Sequence, residues 1–157
     1  MCSACGSAAG VNISSPCPSG RDLVNLVDFA NATTMDFDEI KYQVRGAAME
    51  VYTHFGPGLL ESVYEKAMIR ELELRGLKVQ SQVNIPIMYK GSPVGDDLRI
   101  DLFVEDELIV ELKSVEEIKD VFYKQLRTYL KLMDKEEGLL INFGEYDFKK
   151  GLRRVTL

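Results

Sequence analysis

From residue 38 onward the chain carries a helical pattern. Ile40, Val44, Ala47, Ala48, Val51 and Phe55 recur at three-and-four spacing behind an acidic start. Gly56-Pro57-Gly58 stops that helix. A second amphipathic helix is predicted over 59–75, burying Leu60, Tyr64, Ala67, Met68 and Leu72 and ending at Gly76, which suits a left-handed cap. The period then changes to two: Leu77, Val79, Ser81, Val83, Ile85, Ile87 and Tyr89 alternate with Lys78, Gln80, Gln82, Asn84, Pro86 and Met88, which predicts one strand with a buried face. Pro86 places it at a sheet edge or a bulge. Two further strands, 98–104 and 108–113, are separated only by Glu105-Asp106-Glu107 and form a hairpin. Ser114-Val115-Glu116-Glu117 matches a capping box, announcing a helix with the stripe Ile118, Val121, Phe122, Leu126, Tyr129, Leu130 and Met133. A buried strand over 139–143 and a short one over 152–156 end the chain. Two helices, three strands, a helix and two strands make a mixed α/β domain.

The first 35 residues differ in kind. They are rich in Ser, Ala, Gly, Asn and Thr, with Pro16 and Pro18 close together, and bury too little apolar surface to offset their ordering entropy. A flexible extension is therefore expected over 1–35, with a short helical turn at 22–29, and a folded domain over 36–157. At 157 residues the chain has room for one core. All three cysteines (Cys2, Cys5, Cys17) lie in the extension, so no disulfide framework is expected. Cys2 and Cys5 have the spacing of half a zinc site, but only Cys17 and the distant His54 are left to complete it. No run is long and apolar enough to span a bilayer, and the first basic residue is Arg21, so a cytoplasmic location is expected. The net charge is -6, but residues 1–40 hold one basic and five acidic residues, which leaves the body nearly neutral. There is no general attraction to phosphates, and local patches decide any partner.

The hairpin is where chemistry enters. For Leu98, Ile100, Leu102 and Val104 to share a core with Leu108, Val110 and Leu112, opposed residue numbers must sum to an even value, and a three-residue turn pairs Val104 with Leu108. That register sets Asp101 opposite Glu111, with Lys113 two residues further on the same face. Like charges directly opposed are destabilising, so a compensating cation is needed. One reading is a diagonal Asp101–Lys113 ion pair worth under about 1 kcal/mol. The other is a divalent-metal site, since hard cations are held by one or two carboxylates with water and phosphate. Glu61 and Tyr64 lie one helical turn apart. Gln125 and Tyr129 lie four apart on the later helix, with Gln125 inside the apolar stripe, where a buried amide needs partners. Lys119, Lys124, Arg127 and Lys131 give that helix a basic edge.

Taken in order, Gly58-Leu59-Leu60-Glu61-Ser62-Val63-Tyr64, Asp101, Glu111-Leu112-Lys113, Gln125 to Tyr129 and Gly138-Leu139-Leu140-Ile141-Asn142-Phe143-Gly144 resemble the GxxExxY protein family, which is placed in the PD-(D/E)XK nuclease superfamily. The resemblance implies a restriction-endonuclease-like core, with a central mixed sheet flanked by helices and a catalytic hairpin. It implies Mg²⁺ or Mn²⁺ on Asp101, Glu111 and Glu61, with Lys113 orienting or activating the attacking water and Gln125, Tyr129 and Tyr64 meeting the substrate. Many relatives carry histidine where this chain has Tyr52 and Phe122. The function implied is metal-dependent hydrolysis of nucleic acid, DNA ahead of RNA. The alternative is a noncatalytic nucleic-acid-binding or accessory module that retains the fold.

Overall fold

The structure is a computed structural model and describes residues 35–157. The N-terminal extension, with its cysteines and the turn expected at 22–29, lies outside the described residues. Helices α1 (Phe37–Phe55) and α2 (Glu61–Leu74) open the domain, followed by strand β1 (Val79–Ile85), a small ribbon of β2 (Met88–Tyr89) and β3 (Ser92–Pro93), and the hairpin β4 (Leu98–Val104) and β5 (Leu108–Lys113). Helix α3 (Asp120–Leu132), strand β6 (Glu137–Asn142), the short helix α4 (Phe148–Gly151) and strand β7 (Leu152–Thr156) complete it. The main sheet runs β1-β4-β5-β6-β7. Only β5 and β6 are parallel, joined by α3 as a crossover. No helix among the described residues is long and apolar enough to cross a membrane.

Two apolar clusters sandwich the sheet. Ile40, Val44, Tyr64, Met68 and Leu72 from α1 and α2 pack on Leu102, Val104, Val110, Leu112 and Ile141. Leu126, Tyr129 and Leu130 from α3 pack with Phe103, Ile109, Leu140 and Val155. Both helices of the first pair end where glycine requires it. Gly56 and Gly58 turn the elbow at φ 65° and 114°. Gly76, at φ 77°, closes α2 with paired bonds from Leu77 N to Leu72 O and from Gly76 N to Glu73 O.

Several expectations change. The strand foreseen over 77–89 stops at Ile85, because Pro86 has no N–H to continue a ladder, and residues 88–93 form their own ribbon. Leu98 and Ile100 do not share a core with Leu102 and Val104; they join Phe103 and Ile109 on the α3 side. Opposite the switch, Gln82 has φ 53° and no partner in the β1–β4 ladder, so the alternation breaks at Asp101. The Ser114 capping box does not form: Ser114 Oγ donates to Leu59 O at 2.7 Å, and α3 begins six residues later, at Asp120, with no side-chain cap. Leu60 precedes α2 and is 75% exposed, Phe55 is 44% exposed and Val121 57%. These three lie at helix ends, beyond the reach of the core.

Asn142, fully buried at the end of β6, does the work of a strand there. Its Oδ1 accepts from Val115 N (3.0 Å) and Gly144 N (3.1 Å), and its Nδ2 donates to Val115 O (2.8 Å). Gly144 lies so near that a Cβ would sit 2.3 Å from Val115 O. We expect Asn142→Ala, which strands three backbone groups, to lower unfolding free energy by about 2–4 kcal/mol, and Gly144→Ala to cost about 3 kcal/mol or more from backbone overlap. Urea denaturation of both variants checks this.

Candidate active site

The hairpin register is the predicted one, with Val104 opposite Leu108 and Leu102 opposite Val110. Beyond Leu102 a side chain takes over the ladder: Asp101 Oδ2 accepts the Leu112 N–H at 2.8 Å. Lys113, the last residue of β5, closes the group. Its Nζ lies 2.8 Å from Glu111 Oε1, 3.8 Å from Asp101 Oδ2 and 3.8 Å from Glu61 Oε1. It also donates to Leu112 O at 2.7 Å, and the Phe122 ring lies 5.6 Å away. Two strands and the first residue of α2 therefore bring three acids to one ammonium. Glu61 reaches it because the glycine elbow and the Ser114–Leu59 bond seat the α2 N-terminus beside the end of β5.

Charge dominates the chemistry. With every group ionised, three carboxylates against one ammonium leave two negative charges in excess. Glu111 is 1% exposed; burial and then Asp101 push its pKa up to about 7, against the opposing pull of Lys113. Burial likewise raises Asp101, although the Leu112 N–H and Lys113 restrain it, and burial raises Glu61. For Lys113, burial favours the neutral amine, but Glu111, Asp101 and Glu61 outweigh it and raise the pKa. At neutral pH Lys113 is an ammonium, a donor and not a base.

Glu111 Oε2 is buried without a hydrogen bond. A buried carboxylate oxygen with no donor, next to a second acid in a cluster with two negative charges in excess, fits a hard divalent cation. Asp101 and Glu111 are the two acids that could hold it. Glu61 does not close with them into a preformed triad: among the described residues no group of three His, Cys, Asp or Glu side chains converges as a metal cage. Like charges around one ammonium spread apart, and Glu61, 44% exposed in its side chain, has room to do so.

Gln125 and Tyr129 are joined, the amide donating to the Tyr129 hydroxyl at 2.6 Å. Burial raises the Tyr129 pKa, the Gln125 bond opposes it, and the charges of Glu111 and Asp101 add to the rise. Tyr64 is placed differently from its expected role at the substrate. Its side chain has no exposed surface, stacks on Phe143 at 4.4 Å, donates to Gly56 O (2.6 Å) and accepts from Leu59 N (3.1 Å). An aromatic body with one polar end bracing a turn gives it a positioning role. Of the basic edge on α3, Arg127 is tied through Nε to Thr156 O. Two contributors escaped the sequence reading. The Leu112 backbone orients Asp101 and Lys113 and has no sequence signal, and Asn142, which frames the loop after Lys113, was visible only as a polar residue ending an apolar run.

Against curated proteins and solved structures the chain has no match. The sequence profile of the PD-(D/E)XK nuclease superfamily matches residues 38–155, which takes in all but the first residue of α1, the helices α2 to α4, the sheet up to Val155 and every acid of the cluster. The chain belongs to the PD-(D/E)XK nuclease superfamily.

Proposed function

We propose that this protein is a divalent-metal-dependent nuclease hydrolysing nucleic-acid phosphodiester bonds, and that it stands within the GxxExxY group of its superfamily. The observation that carries the reading is the meeting of Asp101, Glu111 and Glu61 at the Lys113 ammonium, in a cluster short of two positive charges. Asp101 and Glu111 would hold Mg²⁺ or Mn²⁺. When bound, the ion supplies Lewis-acid stabilisation of the negative charge that builds on the phosphate. Lys113, kept protonated by its neighbours, donates to the attacking water and to the phosphoryl oxygens. Glu61, at the open side with a raised pKa, takes up the proton that the water releases. Gln125 and Tyr129 would meet the substrate, and Tyr64 keeps the elbow that carries Glu61 in place. One feature favours the noncatalytic binding module: the three acids are not preassembled as a cage.

Cleavage of single- and double-stranded DNA and RNA oligonucleotides in Mg²⁺ or Mn²⁺ separates the two. We expect Asp101→Asn, Glu111→Gln and Lys113→Ala each to lower the rate by about 10²–10⁴. Binding without turnover by the unaltered protein supports the module, and turnover surviving all three changes removes the site.

The Glu111 carboxyl also sets a pH dependence of stability. Its pKa rises from 4.5 to about 7 on folding, so between those values the native state binds the extra proton and stability falls as pH rises. In chelator, thermal melts of the wild type should lose about 3 kcal/mol of stability across that window, and those of Glu111→Gln much less. Added Mg²⁺ should restore the melting temperature above pH 7 in the wild type and not in the variant.

A further inference from the structure

Beside the acid cluster lies an open cleft of about 390 Å³, lined among others by Pro57, Leu59, Leu60, Ser114, Glu116 and Tyr146. It adjoins the cluster through the chain itself: Leu60 precedes Glu61, and Ser114 follows Lys113. Two of its side chains are poorly placed for a protein with nothing to bind, since Tyr146 is 90% exposed and Leu60 75%. Their backbones, by contrast, are held. The Tyr52 hydroxyl lies 2.7 Å from Tyr146 O and 2.9 Å from Glu145 O. Asn142 fixes Gly144 against Val115. Ser114 fixes Leu59, and Tyr64 fixes both ends of the 56–59 turn. A rigid frame thus presents an aromatic ring and an aliphatic side chain to solvent. Its volume lies in the range of binding clefts.

Charge narrows the occupant. Among the described residues Glu116 is the one charged residue lining the cleft, and it is acidic. A phosphate would find no cation there and one carboxylate, whereas a flat, uncharged ring system would find a tyrosine face and apolar walls. We infer that this cleft receives an unpaired nucleobase of the nucleic acid, adjacent to the phosphate held at Asp101, Glu111 and Lys113, with the base stacked on Tyr146. The inference rests on the nuclease reading for the placement of that phosphate. It adds a preference for single-stranded or locally unpaired substrate, because a base inside a duplex presents no free face to the ring.

Fluorescence anisotropy with labelled oligonucleotides tests it, in a Glu111→Gln background so that no strand is cut. Base stacking on an aromatic residue is sequence-tolerant and strong enough that Tyr146→Ala should weaken single-strand binding roughly tenfold. Tyr146→Phe, which keeps the ring, should stay within about twofold, and duplex binding should be less affected. An oligonucleotide with abasic sites should lose affinity for Tyr146-bearing protein and little for the Tyr146→Ala variant. Equal binding by Tyr146→Ala, equal binding of the abasic strand, or no nucleic-acid binding at all overturns the inference. So does a Tyr146-dependent change in sedimentation without change in oligonucleotide affinity, which gives the cleft to a second copy of the chain. The two readings fail separately. Cleavage that ignores Tyr146→Ala sinks the base cleft and leaves the nuclease, while Tyr146-dependent binding by a protein that never cleaves sinks the nuclease and leaves the cleft.

Discussion

The structure depends on holding like charges together. Asp101 and Glu111 stand on neighbouring strands of a hairpin built mostly from apolar residues, and Glu61 approaches from α2. Nothing in the packing of a core favours this. Burial deprives the acids of water, their mutual repulsion adds to the cost, and the single ammonium of Lys113 offsets only part of it. Glu111 responds by holding its proton to about pH 7. A stability-driven sequence would place apolar or opposed charges there; a binding site for a cation has reason to keep the acids under-compensated. The local fault in an otherwise consistent sheet is what marks the site.

Much of the remaining architecture keeps that cluster in shape. The Leu112 N–H restrains Asp101, and Phe143 N donates to Lys113 O at 2.7 Å, tying the end of β5 to the residue after β6. Asn142 carries the same link onward to Val115 and Gly144. On the opposite side Tyr64 stacks on Phe143 and clamps the elbow before Glu61. Charged groups with long side chains are thus supported by backbone and aromatic contacts that lose little entropy on folding, which is how a constellation is kept within the tolerance catalysis requires. Tyr52 and Phe122 are part of this support: the Phe122 ring lies by Lys113, and the Tyr52 hydroxyl holds the loop bearing Tyr146.

The elements themselves were legible because periodicity is a local property. Apolar spacing located α1, α2, α3 and the main strands, and the three-residue turn gave the hairpin register from Val104 opposite Leu108 to Leu102 opposite Val110, although the premise that Leu98 and Ile100 share that core did not hold. Tertiary contacts decided the rest. Whether Ser114 caps a helix or bonds to Leu59 depends on a residue 55 positions away. Whether Ile100 faces α1 or α3 depends on one left-handed residue, Gln82, in the neighbouring strand. Tyr64 as brace, Leu60 as exposed rim and the parallel seam of β5 on β6 all rest on pairings between distant segments. By itself the sequence determined which side chains alternate and which acids share a strand pair, since the pleat and the helical turn fix neighbours at short range. Only the folded chain decided how Glu61 reaches Lys113 and how far burial shifts the acids, because solvent exclusion and charge compensation are set by everything packed around them at once.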